Sequence, residues 1–285
     1  MILLIGATGT TGNETARLIA GRGIDIRALV RNPDKAAALR GYGIEAVEGD
    51  AADPAALDRA LRGIETLFIA TSAEPRLPDL HRGIVERAKH AGVRRIVKIS
   101  AAGARPDARF RFAAVHGKSD ESIRGSGIAW TILRPGFFMQ NLLAWASVIA
   151  QQHALVQPTG TGRTAYIDAR DIAAVAAQVL LNPGHDAKTY DLTGPEALSG
   201  EEVAGVFSRV LGERITFVSP EPAKFRATLS QFGIPDWLAE GLLEGYEAIS
   251  KGQAARVTGA IRELTGREPG SLEQFVRDHR AAFKQ

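Results

Sequence analysis

The chain has 285 residues, 45% of them hydrophobic, enough to bury a full core either as one large domain or as an intimate pair. Its 35 basic and 32 acidic residues leave a formal net charge of +3, with arginines scattered and no long basic run, so no nucleic-acid partner is expected despite an isoelectric point of about 9.3. The absence of cysteine excludes disulfides, a thiolate nucleophile and thiolate metal sites, the six histidines lack ligand spacing so that no metal is expected, and no apolar run reaches the ~18 residues of a membrane span, so a cytoplasmic protein without membrane association is expected.

The first predicted strand, Ile2-Leu3-Leu4-Ile5, runs into Gly6-Ala7-Thr8-Gly9-Thr10-Thr11-Gly12, and a helical stretch follows over 13–22. The glycines fall where a strand turns sharply into a helix N-terminus. Gly6 permits the turn, Gly9 admits a pyrophosphate against bare backbone, and Gly12 lets helix and strand pack closely. The positive helix end meets phosphate charge, so Gly6, Thr8, Gly9, Thr10, Thr11 and Gly12 are candidate dinucleotide-binding residues. The spacing is G-x-x-G-x-x-G and departs from the usual G-x-G-x-x-G fingerprint. A glycine-rich turn without a ligand is the alternative.

A second strand over 24–30 ends in Arg31-Asn32-Pro33-Asp34-Lys35. This is about 20 residues past the glycines, where an NAD site places an acid for the ribose 2′-OH. Arginine there can clamp a 2′-phosphate, with Lys35 as a nearby point charge, which favours NADP(H) over NAD(H). Solvated charges flanking a turn are the other reading of Arg31 and Lys35.

Further strands are predicted over 44–47, 66–71, 95–100 and 128–133, with helices over 34–40, 54–61, 80–91 and 110–124. Such alternation with near-continuous apolar strands predicts the α/β class: a Rossmann-type, doubly wound parallel sheet of order 3-2-1-4-5-6, with the cofactor at the C-terminal strand ends. Ala70, Thr71 and Ser72 at the end of the fourth strand and Ser100 at the end of the fifth then become cofactor-binding candidates. Asp50, after the third, either accepts from an adenine amino group or caps the following helix.

The pattern loosens after Arg134-Pro135-Gly136. An apolar helix begins in Phe137-Phe138-Met139-Gln140-Asn141-Leu142-Leu143 with Trp145, a glycine-rich loop covers 158–163, and a last strand and helix of the sheet domain fall within 166–181. Beyond 188, strand candidates at 189–192 and 215–218 lie among several helices. Ser199 with Glu202, and Ser271 with Gln274, have capping-box spacing. We expect a sheet domain over 1–155, completed by 164–182, and a smaller α-rich C-terminal domain over 183–285, with 136–163 contributing to the cleft. Phe225, Phe232 and Trp237 are either substrate walls or ordinary core.

Several motifs occur here in family order: GATGTTG at 6–12, the VRNP turn, Ser126-Gly127 before Trp130-Thr131-Ile132-Leu133-Arg134-Pro135, Phe138-Met139-Gln140-Asn141, Ile167-Asp168 to Arg170-Asp171-Ile172-Ala173, and Thr265-Gly266-Arg267 to Phe275-Val276. Together they make the chain resemble, over its whole length, the NmrA-like atypical short-chain dehydrogenase/reductases. Within that group it is most similar to the quinone oxidoreductase and triphenylmethane reductase branch. The resemblance implies an NADP(H)-binding domain and a small C-terminal domain with the active cleft between them.

Typical short-chain dehydrogenases use a tyrosine followed four residues later by a lysine that lowers the phenol pKa. Here Tyr42, Tyr166, Tyr190 and Tyr246 are followed at that position by Ala46, Arg170, Gly194 and Ser250. The corresponding helix carries His116-Gly117-Lys118-Ser119-Asp120, so His116 and Asp120 are the catalytic candidates, with Asp120 orienting or charging His116 from one turn away. A satisfied helix histidine is the alternative for His116. Gly117-Lys118-Ser119 imitates the end of a P-loop, but Phe112 stands where that motif needs its first glycine. Without the tyrosine, a ketone's strongly basic alkoxide lacks an acid, whereas a quinone yields a weakly basic phenolate that solvent protonates. The expected activity is hydride transfer from NADPH to a quinone-like or dye-like small molecule, with Gly136, Phe137, Phe138, Asn141, Trp145 and Phe232 lining its site, in a monomer or homodimer. The resemblance also implies a second possibility, an NADP(H)-sensing regulator without chemistry. A sugar-nucleotide epimerase is disfavoured because it would want the tyrosine.

Overall fold

The computed structural model describes residues 1–284, which form two compact units. The first comprises 1–108, 112–135 and 169–191; the second comprises 109–111, 136–168 and 192 onward. The first unit therefore gives way at Gly136, not near 155, and its last segment runs to Asp191 instead of 182.

The first unit is built on β1 (Ile2–Ile5), β2 (Ile26–Val30), β3 (Glu45–Glu48), β4 (Thr66–Ile69), β5 (Arg95–Ile99) and β6 (Ala129–Pro135), in the spatial order β3-β2-β1-β4-β5-β6, with Lys188–Leu192 as a seventh strand beyond β6. Neighbours from β3 to β6 are parallel. The seventh strand runs the same way: Ala187 N–H donates to Trp130 C=O near the start of β6, and Gly136 N–H donates to Leu192 C=O just past its end. All of β1 and most of β2, β4 and β5 are buried, as expected of strands covered on both faces.

The helices are α1 (Thr10–Ile19), α2 (Ala37–Gly41), α3 (Pro54–Leu61), α4 (Leu77–His90), α5 (Arg111–Arg124) and Ala169–Leu181. On one sheet face Leu3, Ile5, Leu29, Leu67, Ile69 and Ile96 pack with Leu57 and Leu61 of α3, Ile84 and Val85 of α4, and Ile123 of α5. Elsewhere in the unit α1 packs on Ala169–Leu181. Asp53 starts α3 by accepting from Ala55 N–H at 3.0 Å.

Three expectations change. The helix over 34–40 is a 3₁₀ turn, Pro33–Ala36, followed by the short α2, with the Asn32 side chain accepting from Asp34 N–H. Among the described residues no strand of the main sheet forms at 166–167; the adjacent strand Arg163–Thr164 pairs only with Leu198–Ser199. Residues 166–167 make one bridge, Phe138 to Ile167, and the Tyr166 hydroxyl is buried on Gln157 Oε1 at 3.2 Å. The strand at 189–192, expected in the smaller domain, instead extends the main sheet because its backbone pairs with β6.

The second unit is α-rich, with helices Gly200–Leu211, Pro222–Gln231, Asp236–Ser250, Ala260–Thr265 and Leu272–Asp278 among short strand pairs. Ser199 and Glu202 form a complete capping box, whereas Ser271 accepts from Gln274 N–H. The apolar stretch after Gly136 is a 3₁₀ helix, Met139–Trp145, continued as the α-helix Ala146–Gln152. Buried Met139 and Leu142 and half-buried Trp145 recur every three residues, the period of the tighter helix.

Candidate active site

The glycine turn divides into two functions. Gly6 has φ +88°, and a Cβ on it would lie 2.1 Å from the Ala70 carbonyl oxygen; a Cβ on Gly12 would lie 2.1 Å from the Gly6 carbonyl oxygen. Both glycines are demanded by the chain's own backbone. Gly9 is not: its φ is −83°, and a Cβ there would meet nothing closer than the Gly6 oxygen at 3.4 Å. Gly9 is also the N-cap of α1, where no side chain makes a capping bond, and Thr8, Gly9 and Thr10 are exposed. An uncapped helix N-terminus beside a bare, exposed α-carbon fits a pyrophosphate.

The neighbouring strand ends supply the other cofactor candidates. β2 pairs with β1, Leu29 opposite Ile5, and beyond its C-terminal end Arg31 and Lys35 are exposed. Asp50, exposed after β3, accepts from Ala52 N–H at 2.9 Å and does not cap α3, a role taken by Asp53. Ala70 N–H donates to Ile5 C=O at 2.9 Å, tying the ends of β1 and β4 together beside Gly6. Ser72 is exposed, while the Thr71 hydroxyl bonds His81 Nε2 at 2.8 Å.

His81 opens a buried polar network that lies behind the ends of β4, β5 and β6. Its Nδ1 bonds Ser119 Oγ on α5. Lys98 of β5, wholly buried, donates through Nζ to Asp120 Oδ1 at 2.6 Å and to the His116 carbonyl at 3.2 Å, with His116 Nδ1 at 3.3 Å. Ser100 Oγ reaches both Asp120 oxygens, at 2.9 and 3.0 Å, and Arg134 Nη2 donates to Asp120 Oδ2 at 3.0 Å. Burial holds His81 and His116 well below the usual imidazole range, and the charge on Lys98 adds to the effect. Burial also lowers Lys98 to about 8, outweighing the favourable Asp120 carboxylate.

This corrects the expected His116–Asp120 pair. Both residues lie on the inner face of α5, but Asp120 is committed to Lys98, Ser100 and Arg134, and His116 is an uncharged acceptor facing an ammonium. A wholly buried ammonium needs a carboxylate more than a neutral imidazole does. Gly117, between them, is glycine because a Cβ would lie 2.2 Å from the Arg105 carbonyl carbon, so the P-loop imitation has a packing cause. His81, Lys98 and Arg134 were not singled out as site residues from the sequence. Their signal was present: His81 interrupts the apolar stripe Leu77, Ile84, Val85, Ala88 of α4, and Lys98 sits inside the buried run of β5.

The candidate acceptor-lining residues belong to the second unit. Gly136 donates to Leu192, and a Cβ on it would face the Ala165 carbonyl at 3.5 Å. Phe137 stacks on Phe110 with centroids 6.5 Å apart, and Trp145 packs on the buried Phe225 at 5.5 Å, so both serve that unit's own packing. Phe138 is half-buried and Asn141 exposed. Phe232, at the end of Pro222–Gln231, is 64% exposed. Among the described residues no His, Asp and Glu cluster could hold a metal, and no helix is long and apolar enough to cross a membrane.

A family model described as NAD(P)H-binding matches residues 6–183. The NAD(P)H azoreductase of Xenophilus azovorans is 37% identical over 283 residues, covering 99% of each chain. Among solved structures, the NADPH-dependent quinone oxidoreductase of Escherichia coli complexed with NADPH aligns with TM-score 0.90 and 31% identity over 98% of this chain and 99% of that one. The triphenylmethane reductase of a Citrobacter species complexed with NADP(H) aligns with TM-score 0.88 and 27% identity, again over 98% and 99%. With its glycine turn at the head of the matched segment, this chain belongs to the NAD(P)H-binding family, in the NmrA-like branch of NAD(P)H-dependent oxidoreductases.

Proposed function

We propose that the protein is an NADPH-dependent reductase that delivers hydride to a quinone-like or dye-like acceptor. The observation that carries this reading is the chemistry of the strand ends. An uncapped helix terminus has open space at Gly9, while at the ends of β5 and β6 the Asp120 carboxylate is committed to Lys98, Ser100 and Arg134 and no tyrosine–lysine pair stands among the described residues. When bound, the nicotinamide supplies the hydride. The first turn of α1 holds the pyrophosphate through its amides, and Arg31 and Lys35 meet the 2′-phosphate. Ser100 is held by the Asp120 carboxylate at the end of β5, and His116, uncharged, is a poor proton donor. A product anion that solvent can protonate suits such a site; an alkoxide does not. The relatives named for azo, quinone and triphenylmethane reduction support this acceptor class.

The test is the loss of NADPH absorbance with a benzoquinone, an azo dye, a triphenylmethane dye and an aliphatic ketone. Turnover is expected with at least one of the first three and not with the ketone. Tight NADPH binding without turnover of any of them would identify an NADP(H) sensor instead.

A further inference from the structure

Lys98, Asp120 and Arg134 form a cluster of two cations and one carboxylate, flanked by two imidazoles that burial keeps neutral. One positive charge is left over. The Asp120 carboxylate is already filled by Lys98, Ser100 and Arg134, so it cannot neutralise the excess. Lys98 is wholly buried, whereas Arg134 exposes 18% of its side chain next to the C-terminal end of β6. In doubly wound sheets ligands lie outside the C-terminal strand ends. The Arg134 Nε–H, moreover, is buried and has no hydrogen-bond partner. Buried donors without a partner are rare and costly, so the Nε–H leaves the guanidinium's charge incompletely satisfied by the chain, and the exposed part of the same group is what an external anion can reach.

We infer that Arg134 is the anion-stabilising group of this reductase, facing the negative charge that develops on the reduced acceptor, with Asp120 and Lys98 as its positioning residues. The inference rests on the reductase reading and specifies how the site does without a tyrosine acid. Two-electron reduction of a quinone by hydride from NADPH leaves the hydroquinone mono-anion, with NADP⁺ as the oxidised product, and the second hydrogen arrives as a proton from water. A guanidinium cannot supply that proton, because it stays protonated in proteins. It can lower the energy of a delocalised oxyanion, the role of a fixed cation in oxyanion stabilisation. Acceptors are thereby selected by the weak basicity of their reduced anion.

The probe is 4-nitrophenol, whose neutral and anionic forms absorb differently, titrated into the protein saturated with NADP⁺, alongside benzoquinone turnover. Wild-type protein is expected to bind the phenolate about tenfold or more tightly than the phenol, roughly one charge-assisted contact. Arg134→Met should abolish that preference and lower kcat for benzoquinone about 100-fold, the scale of one oxyanion donor. The Kd for NADPH should stay within about threefold. Arg134→Lys, which keeps the charge, should retain most of the phenolate preference, and it carries the test if the methionine variant does not fold. Equal phenolate binding by wild type and Arg134→Met, no preference in the wild type, or an equal loss of NADPH affinity would overturn the inference. A wild type that prefers the phenolate through Arg134 but reduces no quinone or dye would sink the proposed activity while leaving the anion site standing.

Discussion

Lys98 Nζ lies 2.6 Å from Asp120 Oδ1, and neither side chain exposes any surface. A buried ion pair of this kind is weak evidence of net stabilisation, but removing one partner leaves a charge stranded in a medium that solvates it poorly. Asp120 is the member on which the others depend, since two cations and Ser100 converge on it.

Asp120→Ala is therefore expected to lower unfolding free energy by about 3–5 kcal/mol, the usual cost of breaking a buried pair. Lys98→Met should cost less, because Asp120 keeps Arg134 and Ser100. Urea denaturation of both variants checks the order; a loss below about 1 kcal/mol for Asp120→Ala would show that the network relaxes around the gap.

Lys98 titrates near 8 in the folded chain, against an ordinary value of 10.5. Between those pH values the unfolded chain binds the extra proton, so this group's contribution makes the wild type more stable as pH rises through that window. Lys98→Met should lack that rise. Urea midpoints of the two proteins at matched pH, compared from neutral pH to pH 10, would show parallel lines if the lysine were not depressed.

Burial holds His81 and His116 well below the ordinary imidazole value of 6.5 in the folded chain. Each is neutral when folded and protonated when unfolded in acid, so stability is fully present above about 6.5 and falls as pH drops below it. The two together give a limiting slope of about 2.7 kcal/mol per pH unit, twice the single-proton value. Replacing His81 by Gln should roughly halve the slope, and an unchanged pH profile would place the acid sensitivity elsewhere.

The glycines separate ligand space from backbone space. Gly9→Val should leave thermal stability nearly unchanged and weaken NADPH binding by at least about 100-fold, or ~2.7 kcal/mol. Gly12→Ala should destabilise the fold itself by about 1–3 kcal/mol or more, since its Cβ would overlap the Gly6 carbonyl. Calorimetric melting with parallel NADPH titrations distinguishes them, and full affinity in Gly9→Val would remove the pyrophosphate from this turn.

Arg31→Ala should weaken NADPH by about 1.5–3 kcal/mol, the range for a hydrogen bond to a charged group, and leave NADH nearly untouched. Paired titrations with the two cofactors decide it. Equal losses would mean that Arg31 does not read the 2′-phosphate.

What the sequence determined by itself was local. The apolar run at 2–5, the three glycines and the alternation of strands and helices through residue 133 are encoded by neighbours a few positions apart, and they predict the parallel sheet and its dinucleotide turn without tertiary information. Only the tertiary structure decided which strand completes the sheet, because 166–167 and 188–192 are both plausible strands and backbone pairing with β6 selects the second. It also decided the partner of Asp120. Helical spacing brings His116 within reach of Asp120, but parallel packing of β5 against β6, with Lys98 opposite Ile132 and Leu133 opposite Ile99, sets an ammonium and a guanidinium around the same carboxylate. A desolvated cation far along the chain outbids a neutral imidazole one turn away, and no periodicity within a single helix records that competition.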